Sequence, residues 1–440
     1  METLRPIASP LNGLLPVQQV REGEQYRLLH YVVQQEVEEG VLLYNVLTKA
    51  VALLSPEEAE RMGDDPAKVP ELVAGWFAVP VPHDDCRLAQ EVRTVGKMLR
   101  NPSHGYRTFT VFTTTDCNAR CFYCYEKGRA RIPMKEETAR KVAEWILGHK
   151  IPGEIRLRWF GGEPLYNRPA ITTICTALKE AGVEYRSSMT SNGYLFDDAI
   201  VEEAVGLWNL KKVQITLDGT EEVYNRSKAF IYQDESPYRR VLANIRRLLD
   251  AGIRVSVRLN VGPHNAEDLL ALADELGGIF PAEENLKVYS HALFDTEETR
   301  PEEMAAARMR LERKLREKGL SKPGRLPKDL RLNHCMSDDS SSVTILPDGH
   351  LGKCEHYSES GWFGNIGSEE KNEAVLERFR AVREELAECA GCPLYPDCIR
   401  LVVCDETAVC RPEMRAERLE ILRNNLQSWY LKRKSDEVSD

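Results

Sequence analysis

Residues 108–124 read TFTVFTTTDCNARCFYC, a run rich in β-branched and aromatic side chains followed by thiols at 117, 121 and 124. The run from Thr108 to Thr113 reads as a strand, because such side chains fit a pleated, half-buried surface. The thiol spacing, x3 then x2, lets three thiolates wrap one face of an iron–sulfur cubane, each on a different iron. A zinc site would want a fourth ligand, and the sequence holds no further Cys or His beside 117–124. The fourth iron is left open, which is what a chelating small molecule needs.

Outward from this stretch the pattern repeats. Further strands are expected at Ile155–Phe160, Glu184–Thr190, Val213–Leu217, Arg254–Asn260 and Leu286–His291, with amphipathic helices between them at 135–149, 237–251 and 301–317. Six strand-then-helix units imply parallel strands with right-handed crossovers, hence a partial (β/α)6 barrel over 101–318. Loops after such strands gather at one end, where sites are built. Before the barrel, residues 1–100 hold a small α/β unit. Its strands are expected at Tyr26–Gln34, Val41–Tyr44 and Ala50–Leu54. Its helices are expected from Pro56, capped by Ser55, and at about 68–78 and 85–100. A Pro/Gly/Lys-rich link at 319–334 leads to a Cys-rich region, 335–411, and a final helix within 412–440.

Composition narrows the class. The net charge of −10 speaks against a sequence-independent nucleic-acid binder. No apolar run approaches the ~18 residues of a membrane span, and the N-terminus lacks a secretory pattern, so no membrane and a cytoplasmic location are expected. Twelve cysteines exceed what packing asks for. Without an export signal they point to metal or iron–sulfur ligation rather than disulfides. Cys86 and Cys175, standing alone, read as core residues.

The CxxxCxxC loop with Tyr123 before its last Cys resembles the signature of the radical S-adenosylmethionine (SAM) superfamily. Trp159-Phe160-Gly161-Gly162-Glu163-Pro164, one βα unit later, looks like that family's GGE motif. Further matches are Thr190-Ser191-Asn192-Gly193 and Ile215-Thr216-Leu217-Asp218-Gly219. The resemblance implies that Cys117, Cys121 and Cys124 hold a 4Fe-4S cluster whose open iron takes SAM, yielding a 5′-deoxyadenosyl radical. It implies SAM contacts at Tyr123, Gly162, Glu163, Ser191, Thr216, Asp218, Lys228 and Arg258. Lys228 stands where an arginine is common, and a lysine cannot repeat a bidentate contact. For Thr216, Lys228, Arg258 and Asn260 a purely structural place in the barrel is the alternative.

Residues 335–410 resemble the SPASM domain of peptide- and protein-modifying radical SAM enzymes. The spacer before the fourth grouped cysteine is x5 here where x3 is usual. Position by position, the resemblance implies one auxiliary 4Fe-4S cluster on Cys389, Cys392, Cys398 and Cys410. It implies a second on Cys335, Cys354 and Cys404, one thiolate short, so three clusters in all. The missing ligand is His334, Asp338, a substrate thiolate, or none. Glu355 follows the cysteine after which sulfatase-maturing enzymes place a base; an exposed structural Glu is the alternative. Gly40–Asn45 and the following strand and helix resemble a winged-helix-like leader-recognition element, which pairs an extended leader by β-addition; a simple cap on the barrel is the rival. Together these imply a maturase of a ribosomally made precursor peptide, with a leader and a Cys-containing core. An external electron donor is required, and a thioether crosslink is the expected product. Carbon–carbon crosslinking, epimerisation, Ser/Cys oxidation and a non-catalytic iron–sulfur or zinc protein are the alternatives.

Overall fold

A computed structural model describes residues 1–440 except 9–12, 17, 101–104, 233–235, 294–300, 322–325, 334, 357–358, 381–386, 399–409, 411 and 440. The chain forms two compact units, Met1–Asn101 with Pro323–Cys335 and Val382–Asp440, and Pro102–Lys322 with Met336–Ala381. The Cys-rich region is thus shared between them.

The first unit opens with β1 (Glu2–Arg5), β2 (Tyr26–Leu28), β3 (Val32–Val37), β4 (Gly40–Asn45) and β5 (Val51–Leu54). The order β1-β5-β4-β3 is antiparallel throughout. The single strand expected at Tyr26–Gln34 is two, because a turn closed by Val32 N–H on the Leu29 carbonyl breaks it. Helix α1 (Pro56–Asp64) starts on a full capping box from Ser55 and Glu58. The helix expected at 68–78 is a 3-10 turn, a short α2 (Pro70–Ala74), and β6 (Ala78–Pro80), which pairs with β2. Sheet pairing takes the last residues after Gly75 ends the helix. Then come α3 (Asp85–Arg100) and, at the far end of the chain, α12 (Pro412–Ser439). Leu426 and Tyr430 of the latter join the same core as Leu42, Leu54 and Phe77.

The second unit alternates as expected: β7 (Thr108–Thr114), α4 (Glu136–His149), β8 (Ile155–Gly161), α5 (Arg168–Glu180), β9 (Tyr185–Ser191), α6 (Asp198–Gly206), β10 (Leu210–Leu217), α7 (Glu221–Lys228), α8 (Pro237–Asp250), β11 (Arg254–Val261), α9 (Asp268–Ile279), β12 (Leu286–Ala292) and α10 (Pro301–Glu317). β7 to β12 pair in parallel and in sequence order. One face of each strand (Val111, Leu157, Ile215, Val257) packs with the helices in one apolar core. The other face carries the polar side chains.

An addition was not expected from the sequence. β13 (Ser342–Ile345), β14 (His350–Gly352) and β15 (Trp362–Asn365), followed by α11 (Glu373–Arg380), extend the barrel sheet. β13 runs parallel to β7, and β14 and β15 return antiparallel. No helix of the described residues is long and apolar enough to cross a membrane.

Candidate active site

The loop after β7 is bonded on one side to the turn that follows β8 and on the other to the C-terminal end of α7. Gly162 N–H donates to the Thr114 carbonyl at 3.0 Å and Glu163 N–H to that of Asp116 at 2.9 Å. A Cβ on Gly162 would stand 2.2 Å from the Asp116 oxygen, and one on Gly161 (φ +122°) 2.1 Å from that of Thr114. Here the glycines serve close backbone approach to the Cys loop itself. On the far flank, Arg120 N–H reaches the carbonyls of Lys228 and Ala229, and Ile231 N–H that of Asn118.

Cys121 lies within electrostatic reach of Cys117 and of Cys124. Burial pushes all three thiols up, Cys117 to about 12, with nearby negative charge from Glu163 adding at Cys117. Thiols so placed become thiolates readily only with a cation among them. The Cys117 sulfur already accepts from Ala119 N–H at 3.4 Å and Asn192 Nδ2 at 3.6 Å. Among the described residues no three His, Cys, Asp or Glu side chains are grouped closely enough to hold a single metal ion. A cubane takes each thiolate on its own iron, so it does not require three side chains converged on one ion.

Glu163 is fully buried. Its carboxylate accepts from Leu165 N–H (3.2 Å), Asn192 N–H (2.8 Å) and Ser191 Oγ (2.9 Å), and burial raises it to about 7 against those bonds. Ser191 therefore spends its proton on Glu163. Deeper in the sheet, Lys228 Nζ donates to Thr216 Oγ1 (2.5 Å) and Tyr123 OH (2.7 Å) and pairs with Asp218 Oδ2 at 3.0 Å. Tyr123 OH donates to the same Asp218 oxygen at 2.5 Å, and Asn260 Nδ2 to the other at 2.9 Å. Lys228 and Asp218 are both buried. Burial alone would lower the Lys228 ammonium, but Asp218 and Tyr123 hold it well above its usual value. Tyr123, Thr216, Asp218 and Lys228 thus form one network that ties the Cys loop to β10 and β11. Spacing alone does not disclose it, because it depends on α7 folding Lys228 back.

Arg258 bonds to His291 Nδ1 at 3.0 Å, and its buried Nε has no partner. It acts electrostatically on Glu355, as does Arg158, whose guanidinium is 3.9 Å from that carboxylate. Burial raises Glu355 from its usual range despite both. Glu126 was missed by sequence reasoning. Its carboxyl is buried two residues past Cys124 and raised to about 8 by that burial, with Arg129 opposing. Nothing in its local sequence signals burial.

In the first unit, Cys389, Cys392 and Cys398 stand on successive turns: Cys392 N–H donates to the Cys389 carbonyl, Tyr395 N–H to that of Cys392 and Cys398 N–H to that of Tyr395, each at 3.1 Å. Cys392 lies within electrostatic reach of Cys398 and Cys410. Cys335 is exposed in this unit; Cys354 is half-buried in the other, its sulfur accepting from His356 N–H at 3.3 Å. Asp338 is buried. Cys404 and His334 lie outside the described residues.

Residues 111–276 match the family model of the Radical SAM superfamily. Curated relatives include a probable GTP 3′,8-cyclase of Methanocaldococcus jannaschii, 23% identical over 194 residues, covering 42% of this chain and 62% of the relative. Another is the GTP 3′,8-cyclase of Synechococcus elongatus, 28% identical over 116 residues, 26% of this chain and 35% of the relative. The chain thus spans less than two thirds of the length of these relatives. Among solved structures, anSMEcpe with bound AdoMet superposes with a TM-score of 0.55 at 13% identity, over 74% of this chain and 98% of that one. Streptococcus suis SuiB bound to its precursor peptide SuiA gives 0.51 at 10% identity, over 86% and 95%. At such identities the likeness is one of fold.

Proposed function

We propose, from a chain whose residues 111–276 form a radical SAM domain, that the protein is a maturase of a ribosomally made peptide. The observation that carries the SAM-dependent part is the Cys117–Cys124 loop, its three cysteines half-buried, bonded on one flank to the turn after β8 and on the other to the end of α7. When bound, the cluster and SAM supply a carbon-centred radical able to take hydrogen from an unactivated carbon.

The chain's own residues would do the rest. Cys117, Cys121 and Cys124 would hold three irons, and Glu163 has lone-pair capacity left, beyond its three donors, that an ammonium of SAM could use. Gly162 sets the backbone that presents Glu163. Ser191 orients that carboxylate, and the Lys228–Asp218–Tyr123–Thr216 network fixes the loop against β10. Arg258, whose buried Nε has no partner, is a candidate for a carboxylate. Glu355, raised by burial and restrained by Arg158 and Arg258, is a candidate base.

The finer reading is a thioether crosslink on a Cys-containing core, with two auxiliary clusters in the Cys-rich region. Cys389, Cys392, Cys398 and Cys410 would hold one; Cys335, Cys354 and Cys404 would hold the other, with an exchangeable fourth position. The precursor's leader would pair with the first unit's sheet, and an external donor would supply electrons. Peptide-bound SuiB supports a peptide substrate by fold alone.

Anaerobically reconstituted protein is expected to carry about twelve irons by ligand arithmetic. Replacing Cys117, Cys121 and Cys124 together with Ala should remove about four and abolish 5′-deoxyadenosine formation, read by mass spectrometry. A triple variant that still cleaves SAM would overturn the assignment.

A further inference from the structure

The polar face of the barrel sheet, opposite its apolar core, carries a concentration of cations that the SAM site does not use. Arg156, Arg158, Arg186, Lys212, Arg254 and Lys287 come from five neighbouring strands, alternate with core residues, and are all exposed. Their register sets like charges directly opposite one another: Arg156 pairs with Arg186, and Lys212 with Arg254. Such pairs destabilise a sheet. Arg156 and Lys212 are both lowered from their usual values, first by burial of part of the side chain, then by the neighbouring cations. The carboxylates set against the six are Glu154, 3.4 Å from Arg186, and Glu355, 3.9 Å from Arg158. A chain with net charge −10 gains no evident solubility from cations gathered here.

The same face has unspent hydrogen-bonding groups. Ser342 and Thr344 on β13 and Thr110 on β7 are buried, and their hydroxyls have no partner. Thr344 pairs in register with Thr110. Cations therefore lie toward the beginnings of β8 to β12, neutral hydroxyls stand level with them on β7 and β13, with Thr110 opposite Arg158, and the thiol loop follows the end of β7.

We propose that this face seats an acidic segment of the peptide substrate. Its carboxylates lie on the Arg156–Arg186 and Lys212–Arg254 rows, and the residue to be modified extends toward the thiol loop. Arginine suits carboxylates through its planar fork. The extended backbone and neutral side chains of a peptide can supply the partners that the Ser342, Thr344 and Thr110 hydroxyls lack. This inference rests on the reading of the protein as a peptide maturase and adds the chemistry of the peptide.

The test uses full-length reconstituted protein and three dye-labelled dodecapeptides, alternating Gly with Glu, Gln or Lys, with binding read by fluorescence anisotropy. The Glu peptide should bind at least tenfold tighter than the Gln peptide, and more weakly as salt rises. The R156Q/R186Q/K212Q variant should lose that preference by about tenfold or more, while R140Q/K141Q/K179Q, on helices α4 and α5, stays within about twofold. Removing opposed like charges should leave the thermal midpoint unchanged or higher, so loss of binding would not be loss of fold. Equal binding of the Glu and Gln peptides, or an unaffected R156Q/R186Q/K212Q variant, would overturn the proposal. So would a twelve-residue oligothymidylate that binds tighter than the Glu peptide and displaces it. SAM cleavage by the same preparation keeps the two readings apart: intact cleavage without acidic-peptide preference sinks only this inference, and absent cleavage strikes the maturase reading.

Discussion

Cys117, Cys121 and Cys124 stand on a loop bonded at one flank to the Gly162–Glu163 backbone and at the other to Lys228 and Ala229, with Tyr123 anchored on Asp218. Cys389, Cys392 and Cys398 stand instead on single hydrogen-bonded turns. Their segment leans on its unit through Asp397, which accepts from the buried Lys49 at 2.5 Å, and through Tyr395, stacked on Tyr31 with ring centroids 6.0 Å apart. The first loop is held in shape by protein contacts alone. The second rests on side-chain contacts: Tyr395 is buried in the first unit's core, and Cys389, Cys392 and Cys398 pack against that core.

Two buried lysines, Lys228 and Lys49, differ in what their loss would cost. Lys228→Met leaves Asp218 uncompensated inside the sheet and should cost ~3–5 kcal/mol, read as faster hydrogen exchange in β10 and β11. Lys49→Met should cost less, ~1–2 kcal/mol, because the Asp397 side chain is 23% exposed and can turn to water. Its exchange signature should be confined to the Cys389–Cys398 turns. Equal losses at the two sites would contradict the contrast drawn between them.

A smaller effect concerns the wall of the barrel near the first loop. Burial pushes His291 down to about 4 from 6.5, and Arg258 and Arg308 add to it, while the Ala292 carbonyl opposes. Below pH 6.5 the unfolded chain takes a proton that the folded one refuses. Stability from this group is therefore present above 6.5 and lost as pH falls toward 4, by on the order of 1 kcal/mol after screening. His291→Gln should flatten that limb of the stability–pH curve; an unchanged limb would contradict the assignment.

The barrel strands were legible because β-branched runs alternated with amphipathic helices, and Ile155, Arg254 and Leu286 open them where expected. What stayed hidden was tertiary in origin. Ser342–Ile345 is only four residues long and becomes a strand by pairing with β7. Ala78, at the end of an expected helix, joins β2 for the same reason. At the site, the spacing of Cys117, Cys121 and Cys124 was plain, and so was Gly161-Gly162-Glu163. That the glycines pack against Asp116, and that Lys228 is spent on Asp218, Tyr123 and Thr216, depends on contacts between segments far apart in sequence.

On this reading the Cys117–Cys124 loop would hold a cluster with an iron open to SAM. The most direct measurement is electron paramagnetic resonance of the reduced, reconstituted protein with and without SAM, in a variant whose Cys389, Cys392, Cys398, Cys335, Cys354, Cys404 and Cys410 are Ala so that only this cluster contributes. The account predicts a cubane signal whose g values shift when SAM is added, and that is lost on further replacing Cys117, Cys121 and Cys124. A signal indifferent to SAM, or one that survives loss of those three thiols, would contradict it.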